Sequence, residues 1–460
     1  MQSIYLIGIG GAGLSAIATV LLQQGYQVSG SDQQASPATA RLAELGAELF
    51  IGHRAENLND TVDVVVISSA IAPDNPELLA AQARGLKVAK RAEWLGNMME
   101  GRVGIAIAGT HGKTTTTAMT AFVLHETGQD PTFIVGGYIP QMNTSAAAGQ
   151  GKAFVVEADE YDHTFLGLRP QIAVVTIVEW DHPDIYPTPE DLTRAFGDFV
   201  QLVPPQGLVV GCGDAPGVRE IVRHSIARVV TYGFRSENDW QAVDLRANAQ
   251  GGYDFRIISP PNADLEGVQV VLDVPGLHNV YNALATLAVA QSQGVDLQRA
   301  AEVLSHFRGV GRRFEVKGEA NGIIVIDDYA HHPTEIKATL AAARTRFGQR
   351  PIWVVFQPHT FSRTISLFDD FLGAFGDADH VIVVDIYASR EQNDDLISSR
   401  DLVNQMAHPD VRYIGPLSDA VEYLLDRLAP PAALITLGAG DGDLVGEQVL
   451  EKLGDLNGKG

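Results

Sequence analysis

Residues 102–124 read RVGIAIAGTHGKTTTTAMTAFVL: an apolar run, a glycine turn and a helical stretch in immediate succession. A continuous apolar run from Val103 to Ala108 suits a strand covered on both faces of a sheet. The segment GTHGKTTTT, Gly109–Thr117, then joins strand to helix. There, successive backbone N–H groups and a helix N-terminus can hold a phosphate chain. Gly109, Thr110, His111, Gly112, Lys113, Thr114 and Thr115 are the expected nucleotide contacts. Lys113 would reach the terminal phosphates, and the Thr114 hydroxyl would join a Mg²⁺ shell. Ile107 stands where the usual loop has its first glycine, so Gly109 must supply the tight turn. The plainer alternative is a threonine-rich helix start after an ordinary turn.

The same plan opens the chain. The run IYLIGI from Ile4 leads into GIGGAG, Gly8–Gly13, then a helical pattern ending at Gly25, then QVSGSD ending at Asp32. This is a dinucleotide-type fingerprint, with Gly10, Gly11, Ala12, Gly13 and Asp32 as candidate ligand contacts. VDVVVISSAI, 62–71, adds another strand and its exit loop. Two strand–glycine loop–helix openings argue for two domains. A chain with an ATP loop and this second site is most simply read as taking ATP and a UDP-type substrate.

Two acidic clusters follow buried strands. EADEYD contains Glu157, Asp159 and Glu160, and EWDHPD contains Glu179, Asp181, His182 and Asp184. Carboxylates at strand ends suit Mg²⁺, a hard cation that also keeps phosphate oxygens. Glu157 is the first candidate ligand, and His182 is a candidate for a second cation. The alternative for both is loop hydrogen bonding. Farther on, strand-like runs at 322–328, 351–358, 380–386 and 433–440 alternate with helical stretches, giving a third α/β domain. It offers Arg312–Arg313, DDYAHHPTE (327–335) and QPHTFSRT (357–364). Arginine suits the charge of a phosphoryl transfer. The histidines do not read as a zinc set, because adjacent His331 and His332 need not point to one place.

At 460 residues the chain exceeds the size of one core. The expected domains are 1–98, 99–308 and 309–460, with Gly309 and Gly311 as a candidate hinge at the second seam. A net charge of −23 argues against a broad nucleic-acid surface. The single cysteine, Cys212, cannot form an intrachain disulfide and reads as core. The N-terminus lacks a basic region and no apolar run is long enough to span a membrane. A cytoplasmic chain, monomeric or weakly dimeric, is expected.

The phrases GIGGAGLSAIA (8–18), SSAI (68–71), GTHGKTTTT, EADEYD, GLHNVYNALA (276–285), GRRFE (311–315), DDYAHHPTE and QPHTFSRT together resemble the Mur ligases, over nearly the whole chain. The resemblance is to the alanine-adding member. It implies a Rossmann-like UDP-sugar domain, a central ATPase domain and a C-terminal Rossmann-like domain, in a cell-wall (peptidoglycan) ligase. It implies that ATP phosphorylates the carboxylate of UDP-N-acetylmuramate and that L-alanine attacks the acyl phosphate. Ser69 and Arg91 would then help the Gly8–Gly13 loop hold the UDP part. Glu157 and His182 would hold cations, Asn279 would touch the adenine, and Arg313 the phosphates. Tyr329, His331, His359 and Arg363 would line the alanine site. Three departures stand out: Ile177 where asparagine is usual, Thr360 where arginine is common, and no lysine in 183–206 for a carbamate. Other readings are a ligase for a preformed peptide, or a nucleotide-binding regulator without ligase activity.

Overall fold

The computed structural model describes residues 2–259, 267–389, 391–392 and 396–457. Met1 and 458–460, the outer ends of the expected first and third domains, lie outside them.

β1 (Ser3–Ile7), β2 (Gln27–Asp32), β3 (Glu48–Ile51), β4 (Val64–Ile67) and β5 (Lys87–Lys90) form a parallel sheet in the order β3-β2-β1-β4-β5. The order reverses between β1 and β4. The crevice at the carboxyl ends beside such a reversal is where an open α/β sheet takes its ligand. β1 is apolar throughout its centre because helices cover both faces, and Ile4 to Ile7 are fully buried. Gly8 follows at φ 84°, a left-handed turn that lets the chain enter helix Ala12–Gln23.

The second sheet has ten strands: β6 (Val103–Ala108), β7 (Thr132–Ile139), β8 (Thr144–Ala147), β9 (Ala153–Glu157), β10 (Ile172–Val175), β11 (Leu208–Cys212), β12 (Arg228–Gly233), β13 (Trp240–Ala247), β14 (Tyr253–Ile258) and β15 (Val268–Leu272). Their order is β15-β14-β13-β12-β11-β10-β6-β9-β7-β8. β6 therefore lies inside the sheet, parallel to β9 and β10. The ends of those three strands carry the phosphate loop and both acidic clusters. Helix Lys113–Glu126 packs against helix His278–Ser292. Small residues on both, including Ala118, Ala121 and Ala283, allow the close approach and are fully buried. Gly294, at φ 80°, follows the second helix as the sequence suggests. Strands β12 to β15 were not anticipated. Cys212 is buried at the end of β11, and burial pushes its thiol up to about 11.

β16 (Glu315–Ala320), β17 (Ile323–Asp328), β18 (Ile352–Phe356), β19 (His380–Val383), β20 (Val411–Tyr413) and β21 (Ala432–Leu437) make the third sheet, in the order β16-β17-β21-β18-β19-β20. Only β16 runs antiparallel to its neighbour. Between the second and third sheets the chain passes through an irregular stretch with Gly309, Arg312 and Phe314 at positive φ. The Gly311 N–H donates to the Tyr138 carbonyl at 2.8 Å, tying this stretch to β7. Among the described residues, no helix is long and apolar enough to cross a membrane.

Candidate active site

The loop after β6 turns on two glycines, Gly109 at φ 140° and Gly112 at φ 82°. A Cβ at Gly109 would lie 1.9 Å from Thr176 Oγ1, so only glycine fits. Lys113 Nζ donates to Gly109 O at 2.6 Å, Thr110 O at 3.1 Å and Glu160 Oε1 at 2.8 Å. Burial works against its charge, but Glu160, Asp159 and Glu157 outweigh burial and raise its pKa. The Thr114 hydroxyl donates to Glu157 Oε1 at 2.9 Å, and the Gly136 N–H donates to Oε2 at 2.8 Å. Thr114 and Glu157 thus converge, and their hydroxyl–carboxylate pair is a donor set of the kind that fits Mg²⁺.

His182, at φ 56°, stands beyond this pair. Its Nε2 lies 3.8 Å from Glu160 Oε1 and 3.7 Å from Asp181 Oδ2. Burial lowers its pKa, which leaves a neutral imidazole with a free lone pair. Ile177, in place of asparagine, lines a smaller cavity beside the loop, and its carbonyl accepts from Thr110 N–H at 2.6 Å.

The opposite wall comes from the third sheet. A cavity of about 600 Å³ is lined by Lys113, Thr114, Glu157 and His182 on one side, and by Arg313, Tyr329, His331, His359 and Arg363 on the other. His331 Nδ1 lies 3.0 Å from the Tyr329 carbonyl, which can only accept, so Nδ1 carries the proton and Nε2 is an acceptor. Arg363 Nη1 donates to His359 Nδ1 at 3.0 Å, so the His359 proton is on Nε2. Burial lowers His331 to about 3 and His359 to about 4, so both are neutral near pH 7. The two rings, 5.8 Å apart, present one acceptor and one donor. Thr360 holds φ 66°, a strained value for a β-branched residue, at the turn after His359.

Arg363 is 6% exposed and forms a bidentate ion pair with Asp181, in the loop that follows β10. Three of its groups are therefore occupied by protein partners. Arg313 reaches Glu335 Oε1 at 3.8 Å and lies over the Tyr329 ring at 5.1 Å. It also lines a second, largely apolar cavity of about 110 Å³ with His111, Thr115, His278 and Asn279. Asn279 Nδ2 donates to Pro275 O at 2.7 Å, and its Oδ1 accepts from Asn282 at 2.8 Å. Asn282 in turn accepts from Thr116 at 3.0 Å, which couples this cavity to the phosphate-loop helix.

His111 does more than lend a backbone amide. Its Nε2 lies 2.9 Å from Glu179 Oε2 and its Nδ1 3.1 Å from Glu335 Oε1. Burial opposes its charge, but the two carboxylates outweigh burial and raise its pKa to about 9. His331 and His332 diverge as expected: His331 lines the large cavity, whereas His332 caps the next helix and packs on His111, ring centroids 4.8 Å apart.

In the first domain, Asp32 Oδ2 accepts from the Gly10 N–H at 2.8 Å, so this carboxylate shapes the glycine loop. Gly11 N–H donates to Gly8 O at 3.1 Å. Ser69 is exposed; its neighbour Ser68 is the one beside Gly8. A Cβ at Gly13 would lie 2.3 Å from Arg91 Nη1. Arg91 reaches across to Asp159 Oδ2 at 3.3 Å. Ala12, Gly13 and Arg91 line a cavity of about 140 Å³ that shares Gly136, Glu157 and Asp159 with the large one. The glycine loop and the phosphate loop therefore open toward a common space.

Glu160, Asp181, Glu179 and Glu335 were left without a role, or in the acidic clusters only, by the sequence reading. The spacing of EADEYD and EWDHPD placed three of them near the site. Nothing in sequence paired Asp181 with Arg363, 182 residues away.

Comparison with known proteins agrees with this layout. Residues 3–102 match the model for the Mur ligase family catalytic domain, 107–290 the Mur ligase middle domain, and 312–440 the Mur ligase glutamate ligase domain. A UDP-N-acetylmuramate–L-alanine ligase from Geobacter sp. (strain M21) is 45% identical over 98% of both chains. One of the same name from Roseiflexus castenholzii is 44% identical, again over 98% of both. Among solved structures, a UDP-N-acetylmuramate–alanine ligase from Thermotoga maritima superposes with a TM-score of 0.82 at 28% identity, covering 99% of this chain and 100% of that one. A murein peptide ligase from Psychrobacter arcticus gives 0.74 at 26%, covering 99% of each. From its three sheets, its phosphate loop and these matches, the chain belongs to the Mur ligase family.

Proposed function

We propose that this chain uses ATP to join L-alanine to the carboxylate of UDP-N-acetylmuramate, giving UDP-N-acetylmuramoyl-L-alanine, ADP and phosphate. One observation carries the reading. A single cavity holds the phosphate-loop Lys113 and Thr114 and the Glu157 carboxylate against His331, His359 and Arg313 of the third domain. The likeness to relatives named for this activity, 44–45% identical over 98% of the chain, supports the choice of substrates.

The sugar nucleotide sits on Gly10–Gly13 with Arg91 and Ser69, and its carboxylate enters the shared space beside Glu157. The base of ATP occupies the apolar cavity at Asn279, and its phosphates lie on Gly109–Thr115. Mg²⁺ held by Thr114 and Glu157, with His182 as a ligand for a second ion, would neutralise the phosphate oxygens. Lys113 and Arg313 hold the terminal phosphate from its two sides. The carboxylate oxygen attacks the γ-phosphorus and ADP leaves, forming the acyl phosphate.

The amine of alanine then attacks the acyl carbon and phosphate leaves. The His331 Nε2 acceptor and the His359 Nε2–H donor suit an amino acid's ammonium and carboxylate ends. A histidine lowered to about 3 is a poor proton store near pH 7, so His331 orients the amine and the departing phosphate takes its proton. Tyr329, stacked under Arg312 and Arg313, closes this pocket.

The test is phosphate release from ATP with UDP-N-acetylmuramate and each candidate amine, with the product mass recorded. L-Alanine should stimulate release and add one alanyl residue. Stimulation by a preformed peptide but not by alanine would replace this reading with the peptide-attaching one.

A further inference from the structure

Glu160 takes no part in the reaction as set out above. It is nevertheless among the most enclosed charged side chains of the cavity wall, with a side chain 2% exposed. Oε1 accepts from Lys113 Nζ at 2.8 Å. Oε2 is buried and has no hydrogen-bond partner among the described residues. Leaving a buried polar atom bare costs stability, more so for a charged group. Such an atom in a native protein calls for a partner. His182 Nε2 faces Glu160 Oε1 at 3.8 Å, too far for a hydrogen bond and near enough for both groups to face one ion. Both residues line the cavity.

Lys113 explains why the site is not simply open to a cation at all times. Its Nζ rests on two carbonyls of its own loop and on Glu160. In the reaction above the same ammonium serves the nucleotide phosphates. Turning toward them, it leaves Glu160 buried without a charged hydrogen-bond partner. A buried carboxylate left in that position must take up a proton or meet a new positive charge.

We propose that Glu160 exchanges Lys113 for a divalent cation when the nucleotide binds, and holds that cation jointly with His182. The proposal rests on reading this cavity as an ATP site and adds a ligand that the reading does not itself require. A carboxylate oxygen and an imidazole nitrogen suit Mg²⁺ or Mn²⁺, and Mn²⁺ provides a spectroscopic probe.

Mn²⁺ binding to the full chain, followed by electron paramagnetic resonance, tests it. With a non-hydrolysable ATP analogue and UDP-N-acetylmuramate, the wild type should show two classes of bound Mn²⁺. Glu160→Gln should keep one class and weaken the other about 100-fold. His182→Gln should weaken the same class and serves if the first variant does not fold. Lys113→Met removes the competing ammonium, so it should bind Mn²⁺ at this place without nucleotide. Adding Glu160→Gln to it should abolish that binding. Two unchanged classes in either folded variant, one class in the wild type, or no nucleotide-free binding by Lys113→Met each overturns the exchange. Failure of the ligase reading would show separately, as absence of amide product with the Mn²⁺ behaviour intact.

Discussion

Arg363 and Asp181 lock the third domain onto the second: Arg363 Nε and Nη2 donate to Asp181 Oδ1 at 3.1 and 3.0 Å, and Nη2 donates to Oδ2 at 3.1 Å. Both side chains are about 6–7% exposed. Burial opposes the Asp181 charge, but Arg363, together with His182, His331 and the His182 N–H, outweighs it and holds the carboxyl below its ordinary range. The same guanidinium fixes the tautomer of His359. Domain contact and pocket chemistry therefore share one residue.

Removing one partner strands the other charge in the interior, at about 3–5 kcal/mol. Asp181→Ala should therefore lose about 100-fold or more in kcat/KM for alanine. Binding of UDP-N-acetylmuramate, measured by calorimetry, should change little, because that site lies at the first domain. A variant with normal alanine kinetics would remove the pair from the account.

Lys113→Ala should abolish ligation while leaving UDP-N-acetylmuramate affinity within about threefold, since one point charge at the phosphate loop serves ATP alone. Titration calorimetry with the sugar nucleotide checks this. Loss of that binding in a folded variant would mean that the two loops do not divide the substrates as proposed.

His111 gives a pH signature. It bridges Glu179 of the second domain and Glu335 of the third. Its rise from 6.5 to about 9 corresponds to about 3 kcal/mol of favourable interaction with these carboxylates. A raised folded-state pKa means the contribution is complete below about pH 6.5, declines as pH rises and is gone above about pH 9. Melting temperature should fall across that window in the wild type, and less steeply in His111→Asn. Parallel curves would show that the bridge carries no linkage.

Closure is the remaining mechanical prediction. Gly309, at φ 105°, starts the irregular seam between the second and third sheets, and glycine tolerates the rotation that a hinge needs. The structure has the third domain seated against the second through Arg363, His111 and Thr334. Small-angle scattering should show a smaller radius of gyration with a non-hydrolysable ATP analogue and UDP-N-acetylmuramate than without. Arg363→Ala should blunt the decrease. A radius that does not change on binding would mean that the free protein is already closed.

The most legible features were those whose physics is local. Gly109–Thr117 is readable in sequence as a strand–turn–helix junction of phosphate-loop type, because such a loop needs glycines, a lysine and a hydroxyl in consecutive places. The long apolar runs at 103–108 and 172–175 likewise identify strands covered on both faces. Strands β13 and β14 were missed because they form an antiparallel ribbon with one partly exposed face, whose mixed composition resembles loop. In the site, the residue types were legible but their partners were not. Asp32 has the sequence position of a ribose ligand, yet its carboxylate binds the glycine loop's own amide. Arg363 fits a substrate carboxylate by type, yet tertiary contact gives it Asp181. Ser68 lies beside Gly8 while Ser69 is exposed, an orientation that one step along the chain decides and composition does not.

The central claim is a carboxylate–amine ligation in which free L-alanine is the amine. The direct measurement is mass spectrometry of the product formed from ATP, Mg²⁺ and UDP-N-acetylmuramate, with L-alanine and a preformed peptide supplied in competition. The account predicts a sugar nucleotide heavier by one alanyl residue, with one phosphate released per product. A product carrying the whole peptide, or phosphate release without an amide, would contradict it.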